Sequence, residues 1–190
     1  MPVPLLYAAA LAVDLPVGNA PAPVPIPHFP TTFHAYVWRN WTLVPTDRIA
    51  KAVGAGREDI LRTGQAMGLP NPPRITKDQE RRSYLTVIRR NWHLLPYEQL
   101  LALLNWKSEE LAYTLREDDF LYIKLGSHKP KCEPIRYAPP DERTMAREQE
   151  IARVVKEYFP NGVLSKEPLF CFVRELSKPP PTPKAHRPNT

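Results

Sequence analysis

Arg39-Asn40-Trp41-Thr42-Leu43-Val44-Pro45 returns 51 positions later as Arg90-Asn91-Trp92-His93-Leu94-Leu95-Pro96. The correspondence continues past the proline. Asp47 pairs with Glu98, Ile49 with Leu100, Val53 with Leu104, Glu58 with Glu109 and Ile60 with Leu111. Recurrence at a fixed spacing in so short a chain implies two copies of one small helical unit.

Working outward, Thr46 is placed to cap a helix running to Val53, with Asp47 complementing its positive end. Gly54-Ala55-Gly56 breaks it. A second helix is predicted from Arg57 to Met67, ending at Gly68 ahead of Pro70, Pro72 and Pro73. Thr76-Lys77-Asp78-Gln79 reads as a capping box that opens a helix to Arg90, with an apolar stripe of Tyr84, Val87 and Ile88. Pro96 starts the next helix, whose buried face is Leu100, Leu101, Leu103 and Leu104. Ser108 caps another, carrying Leu111, Ala112 and Leu115. Further on, Leu121, Ile123 and Leu125 alternate with Tyr122 and Lys124, as in a short strand. Residues 127–140 form a Pro-rich loop. Asp141 opens a helix to Phe159, with Met145, Ile151, Val154, Val155 and Tyr158 on one side. Leu169 to Val173 is an apolar run of strand length that could pair with residues 121–125, although nothing in the sequence fixes that pairing. The fold class is therefore mainly α: two tandem helix-turn-helix-like units, a C-terminal helix, a small two-stranded β element and disordered Pro-rich tails. The boundaries fall at 1–32 (tail), 33–74 (first unit), 75–126 (linking helix and second unit), 127–176 (loop, helix and terminal strand) and 177–190 (tail).

Each unit carries helix-turn-helix logic. Ala50 lets two helices approach, Gly54 supplies a left-handed turn and Ile60 buries the second helix. The second copy has Leu101, Asn105 and Leu111 there, and Asn tolerates positive φ better than other non-Gly residues. A DNA-binding reading would put Arg57, Arg62 and Gln65 in a groove, supported by Arg81 and Arg82 on the basic linking helix. Charge opposes it. The second helices begin with Glu58-Asp59 and Glu109-Glu110, and Glu117-Asp118-Asp119 follows. Residues 92–120 hold six acidic groups against two basic ones, Lys107 and Arg116. Such a unit gains nothing from a polyanion. The acidic starts also have a structural role, because they complement helix N-termini.

The bulk composition sets the frame. The chain has 190 residues, 43% of them apolar, enough for a real core of one ordinary or two small domains. Its net charge of +6 and sequence pI of about 9.4 raise the prospect of an anionic partner only mildly. Of its 24 prolines, eight lie within residues 2–30 and five within 179–188, so both ends read as polyproline-like. Leu5 to Val13 has the length of a signal-peptide core, but no Lys or Arg precedes it and Pro2 and Pro4 interrupt its start. Nine apolar residues do not span a bilayer. No secretion signal is clear, and a cytoplasmic chain is favoured over a secreted one.

Few residues suggest chemistry. Cys132 and Cys171 belong to no CxxC pair, so free thiols are favoured over a zinc site or a disulfide. Lys129-Pro130-Lys131-Cys132 flanks a thiol with cations, yet no His partner or helix N-terminus accompanies it. His93 and His128 stand alone in sequence. Trp38, Trp41, Trp92 and Trp106 invite a sugar-stacking reading, but Trp41 and Trp92 recur just before a helix in each unit, which favours a hydrophobic lid. The sequence offers no Gly-rich phosphate loop, nucleophile elbow or assignable carboxylate pair, and no cofactor is implied.

The strings Arg89 to Tyr97, Leu115 to Leu121, Lys124-Leu125-Gly126 and Lys129 to Cys132 resemble the N-terminal region of large bacterial glycoside-hydrolase-like proteins. That group is related to hexosaminidases and α-glucuronidases, and the resemblance spans residues 36–176. It implies a leading module whose catalytic barrel would lie beyond Thr190, so no catalytic residue carries over to this chain. The expected function is a non-catalytic structural or interaction module of a carbohydrate-active protein. Its partner would be an adjoining domain or another protein. The alternatives are a DNA-binding regulator and, behind it, a carbohydrate-binding module using exposed aromatics.

Overall fold

The computed structural model describes residues 15–163 and 172–178. Helices α1 (Thr32–Asn40), α2 (Thr46–Val53) and α3 (Arg57–Ala66) form one unit, and α4 (Lys77–Asn91), α5 (Tyr97–Leu104) and α6 (Ser108–Glu117) form the next. A short α7 (Leu121–Lys124), the long α8 (Glu142–Tyr158) and α9 (Phe172–Leu176) follow. Among the described residues there is no sheet, and the β pairing present is a single bridge between Gly18 and His128.

The units are built alike because the same positions do the same work. On α1, Phe33, Tyr36, Val37 and Asn40 share the face spaced i, i+3, i+4, i+7, and all four are buried. On α4 the counterparts are Tyr84, Val87, Ile88 and Asn91, of which the last three are buried. The carbonyl of Asn40 accepts from the N–H groups of Leu43 and Val44, and that of Asn91 from Leu94 and Leu95. Each second helix ends in a left-handed residue, Gly54 at φ 65° and Asn105 at φ 57°. At each turn the next N–H closes back onto the helix, Ala55 to the Ala50 carbonyl and Trp106 to that of Leu101. Third helices start with a carboxylate folded onto the preceding N–H: Asp59 on Gly56 at 3.0 Å, Glu110 on Lys107 at 2.8 Å.

The units meet through reciprocal contacts, as across a two-fold axis. Asn40 Nδ2 donates to Asn91 Oδ1 at 2.9 Å, and Asn91 Nδ2 donates to Asn40 Oδ1 at 2.8 Å. Each amide spends its other hydrogen on its own helix, on the carbonyls of Tyr36 and Val87. Arg39 donates to the Arg90 carbonyl at 2.7 Å and Arg90 to the Arg39 carbonyl at 3.0 Å. The core around this seam includes Ile49, Ile60, Ile88, Leu95, Leu100, Leu103 and Leu111.

Several expectations are corrected. Residues 121–125 do not form a strand: Leu121–Lys124 is helical, with Leu121 buried and Ile123 66% exposed. A lone strand would leave its backbone without ladder partners, whereas the helical turn closes those bonds locally. The expected partner strand falls mostly outside the described residues, and its last two, Phe172 and Val173, begin α9. Residues 15–31 are not a free tail. Proline removes donors but keeps carbonyls, and the body supplies the donors. The Tyr97 hydroxyl bonds the Pro16 carbonyl, the Lys129 N–H that of Val17 and the Lys131 N–H that of Pro21. Thr46 and Ser108 are first helical residues rather than caps; Pro45 and Lys107 hold those places. Thr76 and Asp141 cap as expected. On α8, Val155 and Glu148 are buried, while Met145, Val154 and Tyr158 face outward. The signal-like segment Leu5 to Val13, Cys171 and the prolines from 179 onward lie outside the described residues.

Candidate functional site

Two corresponding grooves flank the α2–α5 contact. One is filled by the chain itself. Pro134 to Tyr137 passes Ala52, Val53 and Gly54 at the end of α2, leaving a remnant cavity open to solvent beside them. Ile135 is buried there, and the Gln99 carboxamide of α5 takes both of its backbone groups. Gln99 Nε2 donates to the Ile135 carbonyl at 2.7 Å, and the Ile135 N–H donates to Gln99 Oε1 at 2.8 Å. The Tyr137 ring packs on Phe33 at 5.3 Å between centroids. Its hydroxyl is pushed up in pKa by burial and by a hydrogen bond with Asp59.

The other groove is open, with a volume of about 360 Å³. Leu43, Val44, Val87, Leu103 and Leu104 supply its apolar lining. Tyr84 and Trp106 wall one side, with ring centroids 5.3 Å apart. Arg48 and Glu80 pair at 2.5 Å at its edge, each about a quarter exposed.

The five residues proposed to read DNA do not form one free cationic surface. Arg57 pairs with Asp47 at 3.0 Å. Arg62 reaches Glu148 of α8 at 3.3 Å and also bonds Thr63. Gln65 contacts Asn71, and Arg81 and Arg82 on α4 both hold Asp78. A phosphate at any of the four arginines would have to displace a carboxylate.

The network around Arg62 was not anticipated from sequence. Glu148 is 2% exposed and His34 4%. His34 Nε2 lies 2.8 Å from Glu148 Oε1, and its Nδ1 lies 2.8 Å from Thr31 Oγ1. Burial holds the His34 pKa below its usual 6.5, against the opposing hydrogen bond to Glu148. The cluster ties α8 to α1 and α3. The only hint was Glu148 within the apolar spacing of α8.

A second tie involves Lys129, also buried. Its ammonium donates to the carbonyls of Trp92 at 2.9 Å, Leu95 at 2.7 Å and Pro130 at 3.2 Å. It also sits over the Trp92 ring, 5.2 Å from the centroid. Burial lowers the Lys129 pKa and raises that of the Cys132 thiol 3.6 Å away, the reverse of thiol activation. His93 and His128, isolated in sequence, come within 6.2 Å of each other. Among the described residues, no group of three or more His, Cys, Asp or Glu side chains is placed to hold a metal. Trp41 and Trp92 are each 1% exposed, with indole N–H groups bonded to the carbonyls of Pro70 and His128. Neither ring offers a face to a sugar.

The geometry defines a mainly helical chain of two helix-turn-helix-like units with one filled and one open groove. No family model, curated protein or solved structure matches the chain. Among the described residues, no helix is long and apolar enough to cross a membrane.

Proposed function

We propose that the chain is a non-catalytic interaction module, the leading part of a larger bacterial carbohydrate-active polypeptide. One observation carries the choice of interaction over DNA binding. Arg62, midway along α3, is engaged by the buried Glu148 of α8, so the central cation of the helix that would enter a DNA groove is already held by a carboxylate. Further support comes from the acidic face of α6, whose Glu109, Glu110 and Glu117 are exposed. The carbohydrate-active context rests on the resemblance of the strings around Trp92, Asp118 and Lys129, three residues that also make contacts holding the second unit together.

The test is a pair of binding measurements on the full chain. Mobility shifts with duplex DNA across a salt series should show no specific complex, and titration with glycans should show no saturable binding. A complex with a steep salt dependence that disappears with Arg57→Glu or Arg62→Glu would replace this reading with the DNA-binding regulator. Glycan binding lost on Trp106→Ala, with the fold intact, would replace it with a carbohydrate-binding module.

A further inference from the structure

The filled groove shows what its open counterpart is shaped to hold. At the spacing of 51, Gln99 corresponds to Arg48, Ala52 to Leu103, Val53 to Leu104 and Phe33 to Tyr84. The first member of each pair meets the segment 134–137, and the second lines the open cavity. The four positions that border the Ile135 segment beside α2 thus recur, with other side chains, beside α5, where nothing of the described chain lies in the cavity.

We propose that this cavity docks an extended segment of a partner protein in which proline precedes an aliphatic residue, as Pro134 precedes Ile135. The proposal rests on the interaction-module reading and names its partner. In the filled groove one carboxamide reads both backbone groups of the inserted residue, because an amide offers a donor and an acceptor side by side. In the open groove the same two functions are divided. Arg48 carries the donors and Glu80 the acceptor, held together at 2.5 Å. An incoming carbonyl takes an N–H of Arg48, and the neighbouring N–H of the segment donates to Glu80. The aliphatic side chain goes down onto Val44, Leu103 and Leu104. Alternation along an extended chain returns the second residue after it to the same side. That residue faces Tyr84 and Trp106, as Tyr137 faces Phe33. The proline restricts the free segment to extended conformations and so lowers the entropy lost on docking. A second copy of this chain is a poorer source, since its own segment 134–137 is engaged at its own Gln99.

The test titrates the full chain with a synthetic peptide spanning residues 133–138, and with a control peptide carrying Asp in place of Ile135. Heat of binding and the Trp106 indole N–H resonance are followed. The expected result is one saturable site that shifts the Trp106 signal. Affinity should fall about tenfold or more, ~1.4 kcal/mol, for the control peptide, for Arg48→Glu and for Ser83→Phe, which fills the groove from α4. Circular dichroism is the check that both variants stay folded. No saturable binding, or binding equally strong in both variants, overturns the proposal. So does a dimer in sedimentation that Ser83→Phe dissolves, because the occupant is then a second copy. A failed peptide titration leaves the interaction-module reading standing, since that reading falls only on DNA or glycan binding.

Discussion

At the scale of single residues, the repeated Arg-Asn-Trp is explained letter by letter. The asparagines face each other with every amide hydrogen used, and the arginines exchange bonds with each other's carbonyls. The tryptophans anchor each unit, but against different neighbours. In the first unit the Trp41 ring lies so close to α3 that a Cβ on Gly64 would sit 2.2 Å from it. In the second unit Leu115 occupies the place of Gly64, and the Trp92 ring packs against Tyr97 and Tyr122. Gly64→Ala should therefore destabilise the fold by about 1–3 kcal/mol through overpacking. An unchanged urea midpoint would show that the ring moves aside freely. Trp41→Ala and Trp92→Ala should each cost about 3–5 kcal/mol in the same assay, and a loss near zero would mean the rings are not core. The tryptophans could be read as buried from their recurrence alone. The meaning of Arg39 and Asn40 could not, because a polar residue kept in both copies suggests surface chemistry until the two are seen to touch.

At the scale of elements, what depended on neighbours in sequence was readable and what depended on distant partners was not. The capping box at Thr76, the cap at Asp141 and the left-handed turns at Gly54 and Asn105 are all local devices, and each stands where its residues place it. The alternation at residues 121–125 spans too few residues to separate a strand from one helical turn, and Phe120 at φ 52° starts the turn. The groove filled by Ile135 joins residues 36 positions apart, which no local pattern encodes. The packing of α8 likewise depends on Glu148 meeting His34 across 114 positions. The burial of His34 at that contact makes stability pH-dependent, against the opposing pull of the Glu148 hydrogen bond. Since burial holds the folded-state pKa of His34 below its unfolded value of 6.5, the neutral form favours the fold. Its contribution is complete above 6.5 and is lost as pH falls from there toward the lowered value. Urea unfolding should show stability declining below pH 6.5 more steeply in the natural chain than in His34→Gln. Parallel profiles for the two would show that His34 does not carry the dependence.

At the scale of the molecule, two similar units are joined in a chain whose charge is unevenly placed. The chain through the end of α4 is basic, whereas residues 92–120, which hold α5 and α6, are acidic, so the net +6 does not describe a uniform surface. The units are fused across a seam in which each supplies what the other lacks. The reciprocal asparagine pair is the core of that seam, with both residues fully buried. A double-mutant cycle on Asn40→Ala and Asn91→Ala, read by chemical unfolding, tests this most directly. Each single change leaves a buried amide short of a partner and should cost about 1–3 kcal/mol. The double change removes both amides and should cost less than the sum of the singles by about 1 kcal/mol or more. Costs that simply add, to within ~0.5 kcal/mol, would mean that the two asparagines do not meet and that the units are not joined through this seam.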